Sequence, residues 1–368
     1  MRGLIRTLKS GLLLVALSIA LPAQADWYFE VDKQSAWQGS LSTRLAAIEE
    51  AFGGALGVYV QNLQSGEAFS WQADTPWYLA SLIKVPVAAE VLARRQAGDL
   101  TLDQRLTLAQ SDFVDGAGPV IWHDPGTPIS IAYLLEQMIT VSDNTATDML
   151  IDRVELAAVN ARAAQMVAAS GGDPGELGPI TTLKGVRRGV YGELHPEARS
   201  LAGTDFIELR KHRVSQRPAA LARRLGVSPQ SLRQPDYESA FDAYQHTGEN
   251  TATLRAYGDL LASLENAGQG DLDATQRQAL IEVMTRTRSG QARLTRGLGE
   301  SITFAHKTGT QHHRSCDAGL AYSEAAAQTA GPWVIVTCTR GGQPRAAHEQ
   351  ALARVGEALR ITGAVGAP

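Results

Sequence analysis

The order of strand-like and helix-like segments most constrains the fold of this 368-residue chain. Two strand-like segments come early, in "LGVYVQNLQSGEAFSWQAD", with a turn predicted at Ser65–Gly66. Three more come late, in "SITFAHKTG", "HRSCDAGLAYS" and "GPWVIVTCTRG". From Ser81 to about Gly290 the pattern predicts helices and loops. Because strands are segregated from helices, we expect an α+β fold built on one five-stranded antiparallel sheet.

Two amphipathic helices flank this arrangement, at residues 40–53 and in the C-terminal "AAHEQALARVGEALRIT". We expect them to cover one face of the sheet and the central helices to cover the other, as an α/β sandwich. The sheet part would be about 26–75 and 295–368, and the helical part about 81–290. The sequence shows no internal repeat and no linker, so we predict a single domain over 26–368.

The N-terminus is typical of an export signal. Three basic residues precede the apolar run "GLLLVALSIAL", and Ala23-Gln24-Ala25 offers a peptidase site, so residues 1–25 are predicted to be removed. An uncut membrane anchor is the alternative, but the run is short for a bilayer. No later segment is apolar enough to span one, so we expect a periplasmic protein without stable membrane insertion.

The charge balance argues against nucleic-acid binding. The chain has 34 basic and 38 acidic residues and a formal net charge of −4, and an exported acidic protein is poorly suited to a polyanion. A basic stretch at 207–234 contains "LARRLGVSPQSLR", which has the look of a helix-turn-helix. We interpret it as a solvated helical insert, and expect no nucleic-acid partner and a monomer.

The two cysteines, Cys316 and Cys338, both lie in strand-like segments. If these segments pair as a hairpin that turns near Ala327, the two positions are equidistant from the turn and face each other. An oxidising compartment then permits one disulfide. Two free buried thiols are the alternative, and neither cysteine has the surroundings of a nucleophile or a metal ligand.

Ser81 and Lys84 stand three residues apart in "YLASLIKVPVAAEVL", where a core-like helix begins. A serine at a helix start has an ordinary explanation as a cap. Residues three apart also share one helix face, so the lysine amine can reach the serine hydroxyl. Ser-x-x-Lys alone is a weak signal.

Two further motifs strengthen the Ser-x-x-Lys signal. "MITVSDNTATDML" places Ser142, Asp143 and Asn144 at a helix start, and "TFAHKTGTQ" places Lys307-Thr308-Gly309 at a strand end. Capping and turn formation would explain each motif alone, but not their joint occurrence in this order. Together the three motifs resemble those of class A β-lactamases and penicillin-binding proteins, with class A the more similar.

The resemblance implies acyl transfer by a serine nucleophile. Ser81 would attack a carbonyl carbon, Lys84 would be the base once its pKa is lowered, and Ser142 would relay protons. The backbone N–H groups of Ser81 and Thr310 would stabilise the oxyanion. The substrate-binding residues implied are Asn144, Lys307, Thr308, Gly309 and Thr310.

The pattern Glu-x-x-Leu-Asn, whose glutamate activates water in class A, is missing. The nearest match is "RRGVYGELHPEARS", where Tyr191 stands at the glutamate and His195 at the asparagine. Glu193 is our tentative deacylation base, with Glu176 and Glu197 as alternatives. The interval from Ser142 to Lys307 is longer than in class A, which predicts an enlarged insert at about 155–245.

Three functions follow. The first is a periplasmic serine β-lactamase that acts on a small-molecule β-lactam. The second is a related peptidase-like or esterase-like serine hydrolase of cell-wall compounds, which deacylates slowly. The third, a non-catalytic scaffold, is disfavoured because Ser81, Lys84 and Ser142 are all present. The histidines show no zinc spacing and no glycine loop suits a nucleotide, so we expect no cofactor and no metal.

Overall fold

The computed structural model describes residues 36–265, 272–323 and 331–365. Its strands are β1 (Ala55–Asn62), β2 (Ala68–Trp71), β3 (Trp77–Tyr78), β4 (Arg105–Thr107), β5 (Pro128–Ser130), β6 (Thr251–Ala252), β7 (Ile302–Gln311), β8 (Arg314–Ser323) and β9 (Trp333–Arg340). Five of them form one antiparallel sheet in the order β2–β1–β9–β8–β7. This confirms the predicted α+β fold and its central sheet.

The helices occupy the positions that the apolar spacing indicates, and most are short. They are α1 (Ala36–Phe52), α2 (Lys84–Gln96), α3 (Ile131–Thr140), α4 (Asn144–Val154), α5 (Leu156–Ala169), α6 (Leu183–Leu194), α7 (Gly203–Arg210), α8 (Arg217–Leu225), α9 (Tyr237–Gln245), α10 (Leu254–Ala262), α11 (Ala274–Thr285), α12 (Leu294–Leu298) and α13 (Arg345–Ile361).

The sheet separates two apolar cores. On one face Leu45 of α1 and Val355 of α13 pack with Val58 of β1. On the other face Tyr59 of the same strand packs with α2, α10 and their neighbours in a larger core. Alternation along β1 therefore serves both cores, because successive side chains of a strand point to opposite faces.

The predicted hairpins have the expected register. Val58 pairs with Trp71 across β1 and β2, and Cys316 pairs with Cys338 across β8 and β9. The two cysteines form a disulfide, so the alternative of two free thiols is wrong. The predicted turn near Ala327 lies outside the described residues.

Helices α6 to α9 have a small core of their own. Tyr191, Phe206, Leu221 and Phe241 are buried in it together with Tyr78 of β3. The helix-turn-helix resemblance does not correspond to a second helix, because α8 ends at left-handed Gly226 and only a single helical turn follows at Pro229–Ser231. Within the predicted insert, these four helices are the part that adds a core.

Two short strand pairs escaped the sequence analysis. Strand β3 pairs with β6, and β4 pairs with β5. Strands of two or three residues are too short to show an alternating pattern. The predicted signal peptide lies outside the described residues. Within those residues, no helix has the length and apolarity needed to cross a bilayer.

Candidate active site

Ser81 lies in a single 3₁₀ turn, Ala80–Ile83, that runs directly into α2. Because that helix is buried without interruption over its first nine residues, the turn is held in the larger core. The hydroxyl of Tyr257 donates to the carbonyl of Leu82 at 2.8 Å and fixes the turn from α10. Ala80 has φ +50°, a strained value for a residue with a side chain. The backbone beside Ser81 is therefore held in place by its surroundings.

Lys84 is completely buried and points away from solvent. Its amine donates to Ser142 O at 2.7 Å, to Ser142 Oγ at 3.1 Å and to Asn144 Oδ1 at 2.8 Å. Ser81 Oγ makes no hydrogen bond to a described residue, so the Ser81–Lys84 contact expected from their spacing is absent in this state. These three contacts hold the amine nitrogen at Ser142 and Asn144.

Ser142 connects the two lysines of the site. Lys307, also completely buried, donates to Ser142 Oγ at 3.0 Å from the side opposite Lys84. Ser142 itself has φ +63°, which is uncommon outside glycine and asparagine. One hydroxyl between two amines can accept a proton from one and pass a proton to the other.

Burial makes neutral lysines favourable in this site. It lowers the pKa of Lys84 to about 7, against the opposing charges of Asp143 and Asp148. Burial, and then the charge of Lys84, hold the pKa of Lys307 well below its ordinary value. A pKa near 7 leaves Lys84 partly unprotonated at neutral pH, as a general base requires.

Asp143 and Asn144 fasten a glycine-containing loop to the start of α4. Asp143 caps the helix by accepting from the N–H of residue 146, and its second oxygen accepts from Val120 N, both at 2.8 Å. Asn144 Nδ2 donates to the Asp115 carbonyl at 2.7 Å. Gly118 has φ +104°, and a methyl group there would lie 2.0 Å from the Asp143 carboxylate. The loop can approach these side chains so closely because Gly118 has no side chain.

Strand β7 forms the edge of the sheet beside Ser81. A methyl group on Gly309 would lie 2.4 Å from the Leu79 carbonyl. The glycine therefore admits the backbone that carries Ser81. Thr308 Oγ1 hydrogen-bonds Ser289 Oγ at 2.6 Å, and both line the cleft. Ser289 was missed by the sequence analysis, because no pattern links it to the motifs.

Arg293 is a further residue that the sequence analysis missed. It is 1% exposed and lies behind β7. Its guanidinium donates to Gly309 O at 3.0 Å, to Cys316 O at 2.9 Å and to Thr310 Oγ1 at 2.7 Å. Arg314, at the start of β8, faces α9 instead. Arg293 lies at the start of α12, before β7. Its distance in sequence from the Lys307-Thr308-Gly309 motif therefore indicated no relation to the site.

These groups border a cleft of about 690 Å³, a size typical of small-molecule sites. One side of the cleft is lined by Ser81, Ser142, Asn144, Thr308 and Thr310. We call this side, together with the buried Lys84, Lys307 and Gly309 beneath it, the lysine wall. We call a second side the insert wall, which consists of Arg187, Tyr191, Arg210, Arg217 and Tyr237.

The structure does not bring the predicted deacylation base to the cleft. Glu193 is directed outward and accepts from Arg199 at 2.7 Å. Glu176 accepts from Thr253 at 2.6 Å. Neither of them, nor Glu197, is among the residues that line the cleft. Our tentative assignment of Glu193 therefore has no support from this geometry, because a base must reach its water.

Asp115 is the one carboxylate among the described residues that line the cleft. Its Oδ1 accepts from Arg187 Nε at 2.5 Å, and its Oδ2 lies 3.8 Å from Arg210 Nη1. This carboxylate is held by arginines of the insert wall, so it is engaged in an ion pair rather than free to activate water.

The two adjacent histidines lie in the turn between β7 and β8. Adjacent residues of a regular strand would face opposite ways, but in this turn the rings of His312 and His313 are 3.8 Å apart. Both imidazoles contact the Glu238 carboxylate of α9. Arg314 also contacts it at 3.3 Å, so the carboxylate has three basic side chains around it. The cluster attaches α9 to the sheet.

The site combines a serine, two buried lysines and an edge strand, and it lies between a helical block and an antiparallel sheet. This combination is typical of α/β sandwich proteins with an active-site serine. The sequence profile of the Beta-lactamase enzyme family matches residues 40–171 and 210–362, more than half of the chain. The chain therefore belongs to this family, which confirms the resemblance. Residues 172–209, which contain α6, lie outside the match and inside the predicted insert.

Similar proteins support the same conclusion. The chain is 32% identical over 119 residues to β-lactamase ROB-1 of Haemophilus influenzae, which covers 32% of this chain and 38% of that protein. The chain thus matches less than half the length of this curated relative. A β-lactamase structure from Sphaerobacter thermophilus is 22% identical with a TM-score of 0.62, over 90% of this chain and 98% of that one.

A structure of a PBP-A mutant, in an acyl-enzyme complex with penicillin G, is also similar. It is 21% identical with a TM-score of 0.61, over 88% of this chain and 95% of that one. At this level of identity both structures show the fold.

Proposed function

We propose that this chain is a periplasmic serine β-lactamase-like hydrolase, which opens the β-lactam amide through an acyl-enzyme at Ser81. The observation that carries the proposal is the convergence of two buried lysine amines on Ser142 Oγ, at 3.1 Å and 3.0 Å. Burial of two cations beside each other is costly. A fold keeps such an arrangement where it needs neutral amines, as in general-base chemistry.

Acylation would proceed as follows. Ser81 Oγ attacks the carbonyl carbon and its proton passes to neutral Lys84. The backbone N–H groups of Ser81 and Thr310 stabilise the oxyanion. The carbon–nitrogen bond then breaks, and a proton reaches the leaving nitrogen through Ser142, which both lysines contact. The product is an ester on Ser81, and no metal or cofactor takes part in this balance.

The substrate would be held at both ends of the lysine wall. Lys307, Thr308 and the adjacent Ser289 would bind the substrate carboxylate, with the charge of Arg293 behind the strand. Asn144, whose Oδ1 accepts from Lys84, would also contact the amide side chain. The open edge of β7 suits a substrate that lies along it as an added strand.

A second candidate function is a penicillin-binding, D-Ala-D-Ala peptidase-like or esterase-like hydrolase with slow deacylation. It is favoured by one specific observation, namely that Asp115 is the only carboxylate on the described cleft lining and is paired with Arg187 at 2.5 Å. Without a free base, water attacks the ester slowly. Both candidates share the first half of the mechanism.

We further propose that the chain works as an exported monomer on small molecules, with no nucleic-acid partner. This rests on the basic and apolar residues 1–25 with their peptidase site, and on the excess of acidic residues.

The first test is intact-protein mass spectrometry of the mature chain mixed with benzylpenicillin and sampled over time. We expect a penicilloyl adduct on Ser81, with Ser81→Ala as the control that forms none. An adduct that disappears as penicillin is consumed supports the β-lactamase, and one that persists supports the slow second candidate. An adduct that forms equally on Ser81→Ala would refute the proposal, and so would the absence of both an adduct and any loss of penicillin with the wild-type chain.

A further inference from the structure

The insert wall carries more positive charge than its neighbours neutralise. Three arginines, Arg187, Arg210 and Arg217, line the cleft there with one carboxylate, Asp115. Arg187, whose side chain is 13% exposed, takes that carboxylate at 2.5 Å. Arg210 lies at its margin, 3.8 Å away, with a side chain 49% exposed. Guanidinium groups remain charged at any physiological pH.

Arg217 has no counter-charge among the described residues. Its Nε donates to the His212 carbonyl at 3.4 Å, and its Cζ lies 5.2 Å from the ring centre of Tyr237. The terminal nitrogens make no hydrogen bond to any described residue. Stacking on the aromatic ring holds the guanidinium at the cleft while its outer donors stay available.

Contacts relate these arginines to the reacting groups. A methyl group on Gly116 would lie 2.1 Å from Asn144 Nδ2 and 3.4 Å from Arg210 Nη1. The amide that would hold the acyl side chain and the Arg210 guanidinium therefore flank the same point. From there a row of contacts runs through Lys84 and Ser142 to Lys307. The row thus has an arginine near one end and a buried lysine amine at the other.

We propose that Arg210 and Arg217, with Arg187 behind them, form a second anion subsite that selects acyl donors with a carboxylate on the acyl side chain. One carboxylate of such a dianionic substrate binds at Lys307 and Thr308, and the other binds at these arginines. An aromatic group between them rests on Tyr191 and Tyr237. This inference rests on the proposed function, whose site it extends.

Benzylpenicillin and carbenicillin form a matched pair of probes, because they differ by one carboxylate on the side chain. We expect carbenicillin to acylate the wild-type chain about fivefold to tenfold faster in second-order rate, the gain of one or two partly exposed ion pairs. In Arg210→Ala/Arg217→Ala the ratio falls to about one, with a larger loss for carbenicillin. Raising the salt concentration narrows the wild-type ratio, because salt screens exposed charges.

The control variant is Arg213→Ala/Arg223→Ala, which removes the same charge from exposed arginines of the insert that do not line the cleft. It should keep the wild-type ratio. If it lowers the ratio as much as the first variant does, the effect is long-range charge alone and the subsite is refuted. Equal rates for the two penicillins in the wild type refute it too.

Equilibrium binding to Ser81→Ala separates this inference from the proposed function. That chain cannot form the ester, so calorimetry with each penicillin reports recognition alone. Tighter binding of carbenicillin that is lost on adding Arg210→Ala/Arg217→Ala supports the subsite even if the wild type is never acylated. Equal binding of both probes refutes the subsite, whatever the acylation experiment gives.

Discussion

The two walls of the cleft are built by different means. The lysine wall takes its side chains from three distant segments, all embedded in the larger core, and its two lysine amines are fully desolvated. The insert wall stands on the separate core of α6 to α9. There Arg187 is ion-paired, Arg210 is half-exposed at the margin of the same carboxylate, and Arg217 has no counter-charge among the described residues. Burial lowers the pKa of both lysines, so the first wall holds the basic groups that acyl transfer would use. Selection among substrates needs reach and charge, which the second wall has.

The family match includes one wall completely and the other in part. The profile covers the segments that carry every member of the lysine wall, and it leaves out residues 172–209. Arg187 and Tyr191 of the insert wall lie in that omitted stretch, whereas the other three residues of that wall, Arg210, Arg217 and Tyr237, lie inside the match. The family profile thus spans all of the lysine wall and only part of the insert wall.

Replacing the proposed base should have the largest effect on this comparison. In Lys84→Ala we expect the rate of acylation by benzylpenicillin to fall by about 10²–10⁴, the usual contribution of a general base. Lys211→Ala, an exposed lysine of the insert paired with Glu208, should leave the rate unchanged. Rapid-quench mass spectrometry measures both. If Lys84→Ala keeps more than a tenth of the wild-type rate, another group accepts the serine proton.

The pH dependence of acylation should follow Lys84. Burial lowers its pKa to about 7, and the reactive form is the unprotonated amine. The acylation rate should therefore rise with pH, about tenfold per unit below pH 7, and level off above it. The same quenched assay from pH 5 to 9 gives the profile. A rate that falls with rising pH, or a flat profile, would contradict a neutral Lys84.

Gly309 tests how tightly the two halves of the lysine wall fit. In Gly309→Ala the new methyl group meets the Leu79 carbonyl at 2.4 Å, so strand β7 and the Ser81 turn must separate. We expect a loss of about 1–3 kcal/mol in the free energy of unfolding, as for overpacking, and slower acylation. Gly39→Ala, at an exposed position of α1 with open space around it and no positive φ, controls for the general effect of a lost glycine. Full activity and stability in Gly309→Ala would show that the contact relaxes freely.

The sequence predicted the lysine wall better than the insert wall, for a physical reason. Ser81, Lys84, Ser142 and Lys307 belong to short motifs whose spacing reflects local geometry, so the pattern is visible in one dimension. Arg293 contacts β7 only in the folded chain, and no spacing in the sequence indicates that contact. The arrangement of the sheet was predictable because strand alternation is local, and the register of Cys316 and Cys338 followed from the turn.

The insert was harder to predict because the sequence around its side chains is compatible with several different roles. Glu193 is two residues beyond Tyr191 in a helix, so it points to a different side and meets Arg199 rather than the cleft. Arg217 lies in a basic stretch that suits DNA binding or simple solvation equally well. Only the packing of α8 against α9 reveals that this arginine stacks on Tyr237 and lines the cleft.

We expect the smallest effect from a substitution that weakens the attachment of α9, in the insert wall, to the sheet. Burial would raise the pKa of Glu238, but its contacts with His312, His313 and Arg314 together hold that pKa below the ordinary value. Glu238→Gln should therefore cost about 1 kcal/mol in the free energy of unfolding at neutral pH, because the pairs are partly exposed. Glu208→Gln, which breaks an exposed pair with Lys211, is the matched control and should cost less.

The loss in the free energy of unfolding of Glu238→Gln should also depend on pH. A carboxylate with a lowered pKa stabilises the fold above its unfolded value, and this is lost as pH falls through the lower folded value. The difference in stability between wild type and Glu238→Gln should therefore be present at neutral pH and vanish in acid, once the carboxylate is protonated. Urea unfolding of both chains across this pH range measures it. A difference that persists unchanged in strong acid would contradict a role for the Glu238 carboxylate in attaching the insert wall.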